Sequence, residues 1–515
     1  MTNNNPYNQQ APQTPIQPPT SRRARWNRRL MSGAAAKITS LPTWFTAYAV
    51  ATYAIALLGV NFVYSNYAME WYFWLFGIAW VAGFFYLSVQ LSRQWNVLYV
   101  RKQKSFEQKL FWTGLGIRTI YVIFIYFFYI TMTGQPHEFG AADSQSYVDV
   151  AIDFSMYMDE DTLGAYLAEY AKGSFSDLGY PLAIFFPIRW FGVEGGVFVI
   201  LILNAIIGAY TNVIIYNIVA RSMNETTARI AAIFCMLHPV LICYAGMTLK
   251  EILMTFLTVL FIDLADRMMR EKRYTFTAIA PMILVGLSFF LFRTVLGMIA
   301  FMALFFALVM SDSRIVNTGK KLTLGVIILG ILFMSVSENI MTGIRQVTEA
   351  DVKEQQKISM EQRYGEKKKE GGNNFAKYAS TAVFAPLIFT IPFPTMVVVG
   401  SQEDMRLIHG GNWMRNIMSG FVILAMFMLL LSGDWRKYTL PLAMLLGYLL
   451  MLAFTQFAHS LRFHIPVMPF EMMFAAYAIT KMRKKHRMWY LYWCMFTIVT
   501  CFAWNWFKLA GRGMI

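Results

Sequence analysis

The sequence predicts an all-α fold: a polytopic transmembrane helical bundle of about thirteen spans. Three observations carry that expectation. The 515 residues are 57% hydrophobic and only 14% charged, with a mean hydropathy of +0.45, against roughly 25% charged in soluble domains. Apolar windows long enough to cross a hydrocarbon core of ~30 Å recur along the whole chain. Their apolar runs are continuous rather than alternating, which argues against barrel strands. Lipid offers no partners to backbone N–H and C=O groups, so such segments must be helices.

Residues 1–40 read as a disordered, basic cytoplasmic N-terminus. Residues 1–21 are rich in Asn, Gln, Pro and Thr, and Arg22, Arg23, Arg25, Arg28, Arg29 and Lys37 follow with no acidic residue among them. They are no signal peptide, because the apolar run behind them is span-length and starts beyond residue 40. Two spans, 44–65 and 71–92, occupy 41–110 and end in Arg93, Arg101, Lys102, Lys104 and Lys109. The core, 111–481, opens with a span at 111–133, and the segment 135–194 then reverses the charge. It carries Glu138, Asp143, Asp149, Asp153, Asp159, Glu160, Asp161, Glu169, Asp177 and Glu194 against Lys172 and Arg189. Three spans from a cytoplasmic N-terminus place it outside, as its sign suggests.

Further spans are expected at 196–219, 229–246, 251–268, 275–291, 295–311 and 322–337. Arg267, Arg270, Lys272 and Arg273, then Lys320 and Lys321, mark inner turns. A second outer loop, 338–415, follows. Its part 338–377 is polar, and Pro386, Pro392 and Pro394 interrupt 380–400. Parity with the later spans 416–432, 438–456 and 465–481 requires that 380–400 not cross. A re-entrant or interfacial segment buried in protein satisfies that requirement. Lys481, Arg483, Lys484, Lys485 and Arg487 precede a C-terminal span at 488–506 within 482–515. The net charge of +16 thus records topology in a bacterial cell membrane, with membrane lipids as surroundings and no nucleic acid as partner. Cys235, Cys243, Cys494 and Cys501 fall inside spans at no metal-ligand spacing. No Walker A sequence is present, which argues against ATP-driven transport.

Three polar constellations fall on the outer side. Asp143 and Tyr147 begin the stretch 144–171, which reads as an amphipathic surface helix. Tyr147, Val150, Ala151 and Phe154 share one face of it, with Asp149 and Asp153 on another. Asp143 is either an N-cap of that helix or a base or metal-organising carboxylate, and a cap can also be catalytic. Lys250 and Glu251 sit at an outer turn, either as interfacial anchors or with Lys250 as a point charge for a lipid-linked phosphate. Arg293 lies between two short apolar runs, where phosphate is its natural partner. Arg462 and His464 are placed at the outer mouth of a late span, facing the loop of Asp143. Glu471, deeper in that span, requires a polar partner or a cavity. Asp143 with Glu138 or Asp149 could hold one divalent metal ion through water.

An outer-face Asp143 with Tyr147 after an early span resembles the first extracytoplasmic loop of GT-C glycosyltransferases. The step Gly179-Tyr180-Pro181-Leu182 resembles them too, as does the Arg-x-x-x-Pro-x-x-Pro pattern of Arg462, Pro466 and Pro469. These polytopic enzymes take sugars from polyprenyl-phosphate donors, the dolichyl-phosphate-mannose mannosyltransferases among them. The likeness covers roughly 110–480. The chain departs from it in having two spans before the acidic loop, and Asp143-Ser144 where an Asp-Glu pair is usual. The resemblance implies an inverting transfer from a polyprenyl-phosphate-linked sugar to a glycan, lipid or protein acceptor, with Asp143 catalytic. Tyr147, Lys250, Glu251, Arg293, Arg462 and His464 would bind substrate. Two other classes stay open. A polysaccharide polymerase or O-antigen ligase would lean on His464, Arg462 and the loop 338–377. A transporter or flippase would place paired charges at the bilayer midplane on broken helices.

Overall fold

The computed structural model describes residues 41–99, 103–140, 142–272, 274–310, 387–399, 403–454, 460–482 and 487–515. These residues are 86% helical with no strands. Helix α1, Thr43–Val63, shows why. It buries Phe45, Ala49, Tyr53, Ala56, Leu57 and Val60 at helical spacing, yet turns Ile55, Leu58 and Phe62 outward. A helix apolar on both its packed and its outward face belongs in lipid.

The first third continues through α2 (Trp71–Tyr99), α3 (Gln103–Thr133), α4 (Ala142–Asp159) and α5 (Leu163–Ser174). The surface stretch expected as one helix over 144–171 is therefore two. They are broken at residues 160–162, where Asp161 adopts φ 56°. Helix α6 (Gly179–Ser222) is central and packs against α3, α4, α7 (Glu225–Leu237) and α9 (Glu251–Arg270). Gly192, at φ 74°, breaks α6 near the expected loop boundary at 194. Only glycine takes that conformation without strain.

Helix α7 is followed by the short α8 (Pro239–Cys243), and the two are bent 49° apart at His238. Pro239 has no N–H to return to the preceding turn. The buried Arg118 fills the gap, donating to the carbonyls of Cys235 at 3.3 Å and Met236 at 3.2 Å. The remaining α-helices among the described residues are α10 (Phe276–Ser288), α11 (Thr294–Met310), α12 (Glu403–Leu407), α13 (His409–Ser432), α14 (Thr439–Phe454), α15 (Leu461–His464), α16 (Met468–Lys481) and α17 (Arg487–Ala510).

Five helices among the described residues are long and apolar enough to cross a membrane. They are Thr43–Val63, Trp71–Trp95, Ser105–Thr133, Gly179–Ser222 and His409–Ser432, and the bent pair around His238 makes a sixth if it counts as one span. Other expected windows are helical but short, such as Phe276–Leu291, Thr294–Met310 and Thr439–Ala453. The window 251–268 hides charge. Asp263 and Asp266 are each only 3% exposed and bind Arg221 at 2.7 and 2.8 Å, with Arg267 and Arg270 one turn on. The window 322–337 and the loop 338–377 lie outside the described residues.

One further expectation is corrected by α13. Residues 409–415, expected as the end of the outer loop 338–415, are buried helix. Gly410, Gly411 and Asn412 look loop-like in sequence, and packing against α16 and α2 overrides that preference. Residues 387–399 are irregular and largely buried, as the prolines required. Asn416 donates to the carbonyls of Thr390 and Pro392, and Asn505 donates to Pro394 and accepts from the Met396 N–H. Side chains thus satisfy backbone that no ladder satisfies.

Candidate functional site

Five separated segments converge at one end of the bundle. Helix α4 presents Asp143 in its first turn and Tyr147 one turn later, on the same face. A 3-10 turn, Phe175–Asp177, supplies Asp177 just before α6. Lys250 and Glu251 open α9, and Arg293 follows the 3-10 turn Phe289–Leu291. Helix α15 brings Arg462. Gly179 lets the Asp177 turn close on the turn that precedes Arg293. A Cβ there would stand 2.8 Å from the Phe292 ring and 3.0 Å from the Leu291 carbonyl.

Arg462 is the hub. Its Nη1 donates to Asp143 Oδ2 and its Nε to Glu251 Oε1. Arg293 Nη2 lies 3.8 Å from the same Glu251 oxygen, its Nη1 donates to the Tyr448 hydroxyl at 3.1 Å, and its guanidinium sits 4.5 Å over the Phe463 ring. Lys250 Nζ donates to Asp177 Oδ1 and, at 2.7 Å, to the Phe292 carbonyl. It also stands 5.7 Å over the Tyr147 ring, whose hydroxyl donates to Asp177 Oδ1 at 3.5 Å. Tyr180 braces Tyr147 edge-to-face at 5.5 Å and accepts from Asn204 at 3.3 Å.

Burial and charge oppose one another here. Burial pulls the Lys250 ammonium below its ordinary value, and the neighbouring Asp177 carboxylate pulls the other way. Burial pushes the Tyr147 phenol up, so it stays a neutral donor. Glu251 is fully buried, with Oε2 unpartnered among the described residues. Burial likewise pushes the Glu138 carboxyl up. Ser144 donates to its Oε1, and its Oε2 has no partner among the described residues.

Of the residues expected in the site, Asp143, Tyr147, Lys250, Glu251, Arg293 and Arg462 therefore meet. Asp143 is not the N-cap, since Ala142 already begins α4 and its carboxylate is held by Arg462. His464 does not stand at the mouth beside Arg462. Two residues along a helix lie about 200° apart, so His464 turns inward. It is fully buried, with its Nδ1 2.9 Å from Arg415 Nη2. Arg415 also binds Glu471 at 3.1 and 2.9 Å, which gives the buried Glu471 the partner its position required.

The metal expectation does not fit the residues present. Asp143 is engaged by Arg462, Glu138 by Ser144, and Asp149 is exposed. Among the described residues no group of three or more His, Cys, Asp or Glu side chains could hold a metal ion. Sequence reasoning passed over Asp177, Tyr448 and Arg415 as site or core partners. Asp177 alone left a signal, two residues before the Gly179-Tyr180-Pro181 step. No known protein family, no curated protein and no solved structure matches the chain.

Proposed function

We propose that this protein is an inverting membrane glycosyltransferase, moving a sugar from a polyprenyl-phosphate donor to a lipid-linked, glycan or protein acceptor. The single supporting observation is the meeting of Asp143, a half-open carboxylate, with Arg293, Arg462 and Lys250 at one end of an apolar bundle. A lipid-linked donor keeps its tail in the bilayer and its phosphate at the surface, so it needs cations beside an apolar groove and a base for the acceptor. In this reading the acceptor hydroxyl oxygen attacks the anomeric carbon and its proton passes to Asp143. The bond from that carbon to the phosphate oxygen breaks with its electrons leaving on the phosphate, which the arginines receive. One displacement inverts the anomeric centre. The reading takes the bundle as about thirteen spans of GT-C type, with this end extracytoplasmic by the positive-inside bias.

Asp143→Asn keeps the side chain's size and removes its charge. Sugar transfer should fall ~10²-fold or more, the usual scale for a positioned base, with donor binding retained. Near-normal turnover would remove Asp143 from the chemistry. A second reading, transport of the lipid-linked substrate, is favoured by the buried Arg415–Glu471 pair beside the broken run from α15 to α16. Analysis of a host lacking this chain separates the two. Build-up of a monosaccharide-phosphate lipid with its acceptor unmodified supports transfer, whereas build-up on the cytoplasmic leaflet alone supports transport.

A further inference from the structure

Each cation of the cluster faces an internal carboxylate. Arg462 holds Asp143 and Glu251, Lys250 holds Asp177, and Arg293 lies 3.8 Å from Glu251. An anionic ligand therefore arrives by exchange, taking a carboxylate's place. The carboxylates differ in how readily they leave. The Glu251 side chain is 0% exposed, whereas those of Asp143 and Asp177 are 59% and 44% exposed and have water at hand.

Lys250 cannot follow a departing Asp177. Its side chain is 5% exposed, and its ammonium is bound to the Phe292 carbonyl at 2.7 Å and lies 5.7 Å over the Tyr147 ring. A buried ammonium that loses its carboxylate needs another anion. Asp177, by contrast, rides a single 3-10 turn of three residues at the bundle's end.

We propose that Lys250 is an anion subsite for a phosphate group, and that Asp177 fills it in the resting protein as an internal stand-in. The incoming phosphate oxygen replaces Asp177 Oδ1 on the ammonium, and Asp177 turns out to water. The Tyr147 hydroxyl, now 3.5 Å from that carboxylate oxygen, becomes a donor to the phosphate. Lysine suits this role because its ammonium is a compact charge that accepts whichever oxygen is presented. The inference rests on the functional reading above only in that the ligand carries a phosphate.

The test uses the full chain in lipid nanodiscs, titrated with a polyprenyl phosphate, with inorganic phosphate, and with polyprenol as the uncharged control. Asp177→Asn should bind polyprenyl phosphate about tenfold tighter, the effect of removing one competing ion pair. Lys250→Gln should bind it about tenfold more weakly, and Asp177→Asn should give no gain in that background. Polyprenol binding should not change. No gain from Asp177→Asn in the presence of Lys250, or an equal gain without it, overturns the subsite. If Lys250→Gln does not assemble, Lys250→Arg carries the same cycle, and the gain must then persist. A tenfold gain with inorganic phosphate as well supports a subsite that reads the phosphate alone. A gain confined to the lipid phosphate supports one that also needs the tail. Loss of sugar transfer with Asp177-dependent phosphate binding intact removes the transferase and leaves the subsite. Intact transfer with Asp177-independent binding removes the subsite and leaves the transferase.

Discussion

Glu471→Gln isolates the buried ion pair that sits inside the bundle. Arg415 is fully buried and Glu471 is 2% exposed, so neither charge has water to fall back on. The carboxylate takes two charge-assisted bonds from the guanidinium, at 3.1 and 2.9 Å. The amide keeps the shape but offers one acceptor oxygen and no charge, and it brings two N–H donors that the arginine cannot use. Removing one partner of a buried pair costs about 3–5 kcal/mol. Arg415 keeps the Ile391 carbonyl and His464 Nδ1 as acceptors, which places the loss near the lower end, about 3 kcal/mol. That is roughly a hundredfold in the ratio of folded to unfolded protein. Chemical unfolding in detergent micelles, followed by tryptophan fluorescence, measures it. The double variant Arg415→Met with Glu471→Leu should lose at least about 2 kcal/mol less than the sum of the single variants, because each single change strands one group. A loss under about 1 kcal/mol for Glu471→Gln, or additive single variants, would refute the reasoning.

Three other outcomes follow from the site. Arg462→Lys keeps the charge but cannot hold Asp143 and Glu251 together, so donor affinity should fall about tenfold, read by titration with polyprenyl phosphate. Arg293→Lys should weaken donor binding in the same assay with acceptor affinity unchanged, and two unaffected variants would make these arginines anchors. The Glu138 carboxyl is held above its ordinary value by burial, so the folded state prefers it protonated. Its contribution to stability is therefore fully present below the ordinary carboxyl value of 4.5 and is lost as pH rises through the raised one. Glu138→Gln should flatten the fall in unfolding midpoint above that point, and an unchanged profile would assign the pH dependence elsewhere.

Much of the site was legible because charge beside a long apolar run is costly and therefore conspicuous. Asp143, Lys250, Glu251, Arg293 and Arg462 stood out in this way, and they meet. What could not be read is which charge meets which. Asp177 was one of ten acids in the segment 135–194, and only the fold sets it against Lys250. Tyr448 lay in an apolar run, where its hydroxyl gave no hint of Arg293. Asp263 and Asp266 vanished into a hydropathy window, although Arg267 and Arg270 one turn later were their cue. Arg415 was lost for the opposite reason, since the glycines and asparagines around it read as loop. His464 was misplaced because a stretch with two prolines does not announce the short helical turn that points it inward.

The irregular segment 387–399 has a consequence for the order of assembly. Its carbonyls and amides are held by Asn416, which the ribosome delivers soon after, and by Asn505, which lies 109 residues beyond Met396. Trp504, from the same final helix, donates to Thr395 at 3.3 Å. Until α17 has been synthesised and packed, this stretch has polar backbone groups waiting for partners that the chain has not yet made. Helix α17 is therefore a closing clasp, and a chain cut before it leaves the Met396 N–H and the Pro394 carbonyl without the side chain that holds them.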